Sequence, residues 1–306
     1  MIEYFLRRNA LSHPNEMPIT EDQMAELRCA SRIQLEALYL EQKYDFVVEN
    51  YLEFEETILS RGINHLILGR RDHMSFHSDT ALFNRRIMNL LTAYKTYEET
   101  YVQHLNRIFN RDREVLRSAK SSFSREFDSR IGYWMIPKIR NYVQHQGFPM
   151  HGSTYGSSWI SDRDGVERNR YTIDLYIYPN ELRKGKFNLE VRDRLARMKD
   201  KLDLKFLIRD FMEGFSAAHV KNRLIVDGRV GWAVAYTQSA KEDFLLNTGY
   251  DSAVALTALG PDDCFSVATI ADDQRSHLVE KNRSLVRLSD RYISNEVESP
   301  ETESMA

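Results

Sequence analysis

The sequence predicts a mainly α-helical protein, built as an antiparallel helical bundle with a β-hairpin insertion and a small C-terminal β/α addition. Two patterns lead to this prediction. Apolar residues recur every three to four positions through most of the chain, which is the period of an amphipathic helix. Between residues 153 and 178 they alternate with polar residues, as in a half-buried strand. The composition, with 42% hydrophobic and 28% charged residues, is typical of folded globular proteins.

The first helix, or pair of consecutive helices, is predicted at residues 21–60. Thr20 and Gln23 have the spacing of a capping box, in which each side chain bonds the other residue's backbone amide. Gly62 is expected to end this helical region, and residues 63–77 are expected to form an irregular connection. The inward stripe consists of Met24, Leu27, Leu35, Leu38, Tyr44, Val48, Tyr51, Phe54 and Ile58.

Two further long helices are predicted at residues 79–116 and 121–146. In the later one, apolar residues recur every four positions, so a single stripe faces the core. Pro137 is expected to kink or restart this helix, because proline lacks an amide hydrogen and clashes with the preceding turn. Gly147 and Pro149 are expected to end it.

The hairpin is predicted at residues 153–178, with its turn at Asp164 and Gly165. Helical periodicity returns at residues 187–226, which completes a bundle of four long helical regions. Residues 20–226, with the hairpin included, are therefore predicted to form one helical-bundle domain.

Residues 227–295 are predicted to form a C-terminal extension of helices and strands. Its elements are a helix at 230–246, short strands at 253–259 and 264–270, and a charged helix at 272–294. Residues 296–306 are acidic and offer few side chains to bury, so this tail is expected to be disordered.

Charge is unevenly distributed, although the net charge of the chain is only −3. Residues 104–140 carry nine Lys or Arg against four Asp or Glu, whereas residues 41–57 carry one lysine against six acids. Both runs are compatible with solvated helix faces. The basic run is also a candidate surface for a phosphate backbone, because it concentrates positive charge locally.

We identify no targeting segment, membrane span or convincing metal site. No apolar run reaches the roughly 18 residues that a spanning helix needs, and the first residues lack the apolar core of a signal peptide. Cys29 and Cys264 are not part of a CxxC pair, so they are expected to be reduced thiols. A cytoplasmic protein without membrane contact, cofactor or metal is expected. The alternative metal site is His73 and His77, with two aspartates beside them.

The segment from Arg140 and Asn141 to His145 has the form Arg-Asn-x-x-x-His, at the end of a predicted long helix. This form resembles the signature of the HEPN family. The same spacing occurs at Arg8–His13, and a looser one occurs at Arg71–His77. Only the copy at 140–145 lies within a strong four-residue apolar period, so we take that copy as the candidate site.

The resemblance, which covers at most residues 20–226, implies a helical bundle with metal-independent endoribonuclease activity. It also implies a homodimer in which two motifs face one cleft. A role as a toxin or defence component, acting with an antitoxin or another defence partner, is a further implication of the family.

The motif side chains suit RNA cleavage. A histidine side chain can exchange a proton near neutral pH, so His145 could take the proton of a ribose 2′-hydroxyl or protonate the leaving oxygen. Arg140 would stabilise the charge that develops on the phosphoryl group, and Asn141 would orient the imidazole or the phosphate. The further residues predicted to contact RNA are Arg125, Arg130 and Lys138.

The alternative function is that of a non-catalytic helical protein, which binds a partner or nucleic acid through the basic region at 104–140. In that case Arg140 is expected to pair with a carboxylate, and His145 to cap the last carbonyls of its helix. Exposure of the two side chains in a cleft favours the ribonuclease. Burial of either in a closed salt-bridge network favours the binding protein.

Overall fold

The computed structural model describes residues 4–8, 15–69, 72–161, 167–253, 255–261 and 263–293. Within these residues the protein is mainly helical and carries two small antiparallel sheets, which confirms the predicted fold class. The helices are α1 (Glu21–Leu68), α2 (His73–Ile108), α3 (Arg113–Ser129), α4 (Ile131–His145), α5 (Pro179–Leu182), α6 (Leu189–Ala196), α7 (Leu204–Thr248) and α8 (Ala271–Lys281). The strands are β1 (Tyr4–Arg8), β2 (Glu16–Ile19), β3 (Gly152–Ser161), β4 (Glu167–Ile177), β5 (Leu202–Asp203), β6 (Leu256–Leu259) and β7 (Cys264–Ser266).

Helix α1 is one continuous helix that begins as predicted and ends later than predicted. The Thr20 hydroxyl accepts a hydrogen bond from the Gln23 amide (3.1 Å), and the Gln23 side chain accepts one from the Thr20 amide (2.8 Å), which confirms the capping box. The helix passes through Gly62 and ends at Gly69, whose φ of 61° is left-handed. The prediction that Gly62 ends it is wrong. A glycine inside a helix costs only about 1 kcal/mol, and a buried contact of His65 with α2 holds the last turns in place.

Helix α2 begins and ends earlier than predicted. Asp72 caps it by accepting a hydrogen bond from the Ser75 amide (2.9 Å). The irregular connection predicted at 63–77 is therefore wrong, because most of its described residues are helical. At the other end, Asn110 and Arg111 adopt left-handed φ angles of 48° and 64°, and this turn separates α2 from α3.

The helix predicted at 121–146 is two helices that meet at Arg130. The backbone of Arg130 is extended, with φ −118° and ψ 127°, and its side chain binds carboxylates of α3 and α7. Pro137 lies inside α4, so of the kink or restart predicted there the restart is wrong, and the kink stays a prediction. The break falls at Arg130 because contacts with α7 fix the chain at that residue.

The main core lies between the long helices. Helix α1 packs along α2 and α7, and α3 and α4 also pack on α7. Ile139 of α4 is fully buried and Val143 packs against the same core, so the inward face predicted for this helix is confirmed.

Gly132 sets the distance between α4 and α7. A Cβ atom there would lie 2.2 Å from the Leu207 carbonyl oxygen and 2.7 Å from the Phe211 amide nitrogen. Because both are backbone atoms, a larger residue must push the helices apart. We expect Gly132→Ala to lower the free energy of unfolding in urea by about 1–3 kcal/mol. Gly228→Ala in α7 is the matched control, since its Cβ meets nothing within 4 Å and alanine favours helix. Equal effects of the two substitutions would contradict this role for Gly132.

The hairpin predicted at 153–178 is confirmed. Strands β3 and β4 pair antiparallel, with Gly152 opposite Tyr176, and β5 extends the sheet on the other side of β4. The turn predicted at Asp164 and Gly165 lies outside the described residues.

The second sheet joins two distant parts of the chain. Strands β6 and β7 lie within the strand regions predicted at 253–259 and 264–270. Strand β1 inserts between β2 and β6, with Leu6 opposite Ala258, in the order β2-β1-β6-β7. The sequence patterns predict no strand at residues 4–19, because these short segments have no long alternation and obtain their partners from the far end of the chain.

Helix α7 is continuous over 45 residues. The separate helices predicted at 187–226 and 230–246 are therefore wrong, and the predicted domain boundary between residues 226 and 227 falls inside α7. The charged helix predicted at 272–294 is confirmed only in its first part, as α8. The tail predicted at 296–306 lies outside the described residues.

Candidate nucleic-acid interface

The motif residues lie on the last two turns of α4 and differ in exposure. His145 is exposed, whereas Arg140 and Asn141 are half-buried. Among the described residues, neither the Arg140 guanidinium nor the His145 imidazole has a hydrogen-bond or ion-pair partner. The Asn141 amide donates a long hydrogen bond to the Lys186 carbonyl (3.5 Å). The carboxylate pairing and helix capping that the alternative function requires of Arg140 and His145 are therefore not found in this part of the chain.

Arg130 is engaged inside the protein. Its guanidinium lies 3.0 Å from Glu126, 2.9 Å from Asp210 and 3.1 Å from Glu213. Asp210 also accepts a hydrogen bond from the Gly132 amide (2.7 Å), so one carboxylate binds both sides of the helix junction. Because three carboxylates already surround the Arg130 charge, its main role is to fix the start of α4 against α7.

Lys138 is also held against the protein. Its ammonium lies 4.2 Å from the centre of the Phe127 ring and 4.5 Å from that of the Trp134 ring, as in cation–π contacts. Burial, helped by the nearby charge of Arg194, lowers the pKa of Lys138 to about 8. Lys138 is therefore less accessible than an exposed lysine, and it loses its charge at a lower pH.

Arg125, the third predicted RNA contact, belongs to an exposed face of α3 that we call the basic face. This face is defined by Arg113, Arg117, Lys120 and Arg125. These positions extend over about 18 Å of helix and lie within one half of its circumference. Asp128 and two serines share the surface. In the described parts of the chain, none of the four cations has an ion-pair partner.

An aromatic cleft of about 560 Å³ lies beside the basic face, between α2, α3 and the first half of α4. Its aromatic lining consists of Tyr94, Tyr97, Tyr101, Phe123, Phe127 and Tyr133. Lys120, Ser124 and Asp128 belong both to this cleft and to the surface of the basic face. A chain bound along α3 would therefore pass the mouth of the cleft.

The centre of the bundle contains a buried polar cluster that sequence reasoning missed. Glu41 of α1 accepts hydrogen bonds from the Arg223 guanidinium (2.7 and 2.9 Å) and from Nε2 of His219 (3.1 Å). The Tyr97 hydroxyl donates to the other ring nitrogen, Nδ1, at 2.9 Å. This arrangement assigns His219 as a neutral imidazole with its proton on Nε2. The four-residue spacing of His219 and Arg223 on α7 is the one local signal for this cluster.

The pKa values within the cluster agree with this assignment. Burial tends to raise the pKa of Glu41, but hydrogen bonds from His219 and Arg223 outweigh burial and lower that pKa to about 2. Burial lowers the pKa of His219, because the charged imidazolium would lose its hydration. The cluster therefore contains a Glu41–Arg223 ion pair beside a neutral histidine.

The alternative metal site is not assembled around His73 and His77. Both histidines are exposed on α2, and Asp72 is used as the cap of that helix. Asp79 is buried and lies 2.6 Å from Nε2 of His65. Among the described residues, no group of three or more His, Cys, Asp or Glu is arranged to hold a metal ion.

The other two copies of the motif cannot be placed as complete sites. In Arg8–His13 residues 9–13 lie outside the described residues, and in Arg71–His77 Arg71 does. His77 itself is an exposed residue of the first turns of α2, in helix that the sequence pattern did not predict.

No family model matches the chain, and neither the curated proteins nor the solved structures contain a detectably similar protein. The HEPN resemblance thus rests on the motif at 140–145 and its helical context. Over the residues that the structure describes, no helix has an apolar stretch long enough to cross a bilayer.

Proposed function

We propose that the protein binds single-stranded RNA along the basic face of α3. The observation that carries this proposal is the lack of carboxylate partners for all four cations of that face, within the described residues. Two other cations of the same basic run are paired: Arg107 with Glu36, and Arg130 with three carboxylates. Unpaired cations in a row form a surface that a phosphate backbone can neutralise while counterions are released.

The aromatic cleft supports a single strand as the ligand. Single-stranded nucleic acid is commonly held by a cationic surface for the backbone and by aromatic rings on which bases stack. Phe123 and Phe127 are only partly buried, and they lie one helical turn from Lys120 and Ser124. A backbone on the basic face could therefore direct a base towards these rings. The choice of RNA over DNA comes from the HEPN resemblance.

The quadruple variant Arg113→Gln/Arg117→Gln/Lys120→Gln/Arg125→Gln tests the basic face. We expect its affinity for a labelled RNA oligonucleotide to fall roughly 100-fold at 0.1 M salt, because four phosphate contacts are lost. The slope of log Kd against log salt, measured by fluorescence anisotropy, should fall by about 3.

The matched control removes the same charge from exposed positions elsewhere: Arg85→Gln/Arg183→Gln/Arg197→Gln/Lys199→Gln. This variant is expected to keep most of the affinity and the salt slope of the wild type. If both quadruple variants lose affinity equally, the binding depends on net charge, and the assignment of the basic face is wrong.

A second candidate function is cleavage of the bound RNA, which is favoured by the exposed His145 and by Arg140, whose guanidinium has no partner in the part of the chain that the structure describes. His145 would take the proton of a ribose 2′-hydroxyl, and the 2′-oxygen would then attack the adjacent phosphorus. The bond to the 5′-oxygen breaks, and the products carry a 2′,3′-cyclic phosphate and a 5′-hydroxyl. Arg140 would stabilise the charge on the phosphoryl oxygens during this step.

A homodimer fits this second candidate, because the leaving 5′-oxygen needs a proton and a single motif offers one histidine. His145 of a second copy would supply the acid, in the shared cleft that the resemblance implies. Light scattering at micromolar protein concentration tests this homodimer. A toxin or defence role, with an antitoxin or another defence partner, remains a prediction from the resemblance.

A further inference from the structure

Two polar side chains in the core have no hydrogen-bond partner among the described residues. They are Asn222, through both its amide nitrogen and its amide oxygen, and Tyr101, through its hydroxyl. Asn222 is 4% exposed and Tyr101 is 5% exposed. Buried polar groups are nearly always paired in folded proteins, because an unpaired donor or acceptor lowers stability. We therefore expect a bound molecule to supply hydrogen bonds to both side chains.

Asn222 and Tyr101 line the same small cavity, of about 10 Å³, which is the space that one water molecule needs. Glu41, His219 and Arg223 line it too, but their polar atoms bond one another in the buried polar cluster. The groups left to bind a ligand are thus a neutral amide and a neutral hydroxyl. They suit an uncharged group that carries both a donor and an acceptor.

Tyr97 and Tyr101 separate this small cavity from the aromatic cleft, since both residues line both spaces. The Tyr97 hydroxyl is held by its hydrogen bond to His219 (2.9 Å). The Tyr101 ring is stacked on the Tyr97 ring, with centroids 5.9 Å apart, but its hydroxyl has no partner in the described residues. Of the two tyrosines between the spaces, Tyr101 is therefore the one whose hydroxyl is not held by a hydrogen bond within the described residues. Rotation of its side chain would join the small cavity to the aromatic cleft.

We propose that the joined space is a nucleobase site in which Asn222 reads the edge of an adenine. This inference rests on the proposed binding of RNA along α3. An asparagine amide can donate a hydrogen bond to N7 of adenine and accept one from the N6 amino group of the same base. Adenine is therefore the base that an asparagine binds through two hydrogen bonds. Phe123 and Phe127 offer stacking surfaces at the cleft, and Lys120 at the rim links the base to the backbone on the basic face.

Fluorescence anisotropy with labelled oligo(A) and oligo(U) of equal length tests this site in the whole 306-residue chain. We expect the wild type to bind oligo(A) about 10-fold more tightly than oligo(U). Asn222→Leu should reduce the affinity for oligo(A) to that for oligo(U) and leave oligo(U) binding unchanged. Tyr101→Phe removes only the hydroxyl, which is the second group left to bind a ligand, so it should weaken the preference for oligo(A). It provides a second test if the leucine variant does not fold.

Asn84→Leu is the matched control, because Asn84 is another buried asparagine whose side chain accepts a hydrogen bond from the Met150 amide (3.0 Å). It is expected to lower the melting temperature and to keep the preference for oligo(A).

The outcomes separate this inference from the proposed function. If the wild type binds neither oligonucleotide, both are overturned. If it binds both equally, or if Asn222→Leu and Tyr101→Phe keep the preference for oligo(A), RNA binding stands and the adenine site is overturned. A lower melting temperature of Asn222→Leu together with an unchanged preference would mean that Asn222 holds only a buried water.

Discussion

Replacing Glu41 with glutamine is expected to lower the free energy of unfolding by about 3–5 kcal/mol. The substitution leaves the Arg223 guanidinium in the core without its carboxylate, and an uncompensated buried charge is far more costly than the loss of one hydrogen bond. The Arg223 side chain is 9% exposed and that of Glu41 is 3% exposed, so water cannot replace the lost partner. Urea denaturation at neutral pH measures the effect.

Two further variants identify the cause. Glu41→Gln/Arg223→Met removes both charges and is expected to regain part of the stability, because it leaves no buried ion without its partner. Glu280→Gln is the control, because it removes one partner of an exposed ion pair, in which the Glu280 carboxylate lies 3.8 Å from the Arg283 guanidinium. It is expected to change stability very little. A loss in Glu41→Gln no larger than that in Glu280→Gln would contradict the importance of the buried ion pair.

The buried polar cluster should also make the free energy of unfolding depend on pH in the acid range. The pKa of Glu41 is about 2 in the folded protein against an ordinary value of 4.5, so its contribution is complete above pH 4.5 and is lost as the pH falls towards 2. That contribution amounts to about 3 kcal/mol. The pKa of His219 lies below its ordinary value of 6.5, so the unfolded chain takes up this proton first and stability already falls below pH 6.5. Glu41→Gln should reduce the loss of unfolding free energy that occurs below pH 4.5. Above pH 4.5 the dependence of that free energy on pH should be unchanged.

His145→Ala is expected to reduce RNA cleavage at least 100-fold, because the variant lacks the group that moves the proton. His145 is exposed and has no partner among the described residues, so the melting temperature should stay within about 1 °C of the wild type, as expected for a surface substitution. Cleavage of a labelled RNA is measured beside thermal unfolding of the same preparation. Wild-type cleavage should continue in EDTA, since the proposed chemistry uses only protein side chains.

Gln144→Ala is the matched control for His145→Ala, because Gln144 is the adjacent exposed residue of α4. It should cleave as the wild type does. Arg140→Lys keeps the charge but loses the paired donors of the guanidinium, so an intermediate rate is expected. Full activity of His145→Ala, or activity that EDTA removes and a divalent metal restores, would overturn the ribonuclease mechanism.

Local patterns predicted the elements well where the signal lies within the element itself. The capping box at Thr20 and Gln23 and the alternating residues of β4 are such signals, and both are confirmed. The breaks were less predictable. Gly62 and Pro137 are strong local signals for a break, yet both lie inside helices, whereas the chain breaks at Arg130. That break depends on carboxylates of α7 that lie far away in the sequence.

The residues of the candidate site likewise divide into those that a local pattern predicts and those whose contacts depend on distant parts of the chain. The spacing of Arg140 and His145 is visible in one short segment, and the structure places both residues on the last turns of α4, with Arg140 half-buried and His145 exposed. The engagement of Arg130 and Lys138 inside the protein could not be predicted, because their partners come from the packing of α3, α4 and α7. The buried polar cluster likewise needs α1, α2 and α7 together, so no local pattern contains it.

The pairing of β1 with β6 affects how the chain reaches its folded state during synthesis. Leu6 leaves the ribosome well before its partner Ala258, which lies about 250 residues later in the chain. At about 5–20 residues per second, β1 must wait on the order of ten seconds or more for that strand. During this interval one edge of the β1–β2 pair is open to other chains, which is a known route to aggregation. Helices α1 to α7 all precede β6 in the chain, so the helical bundle can begin to form in the meantime, and closure of this sheet is expected to be among the last steps of folding.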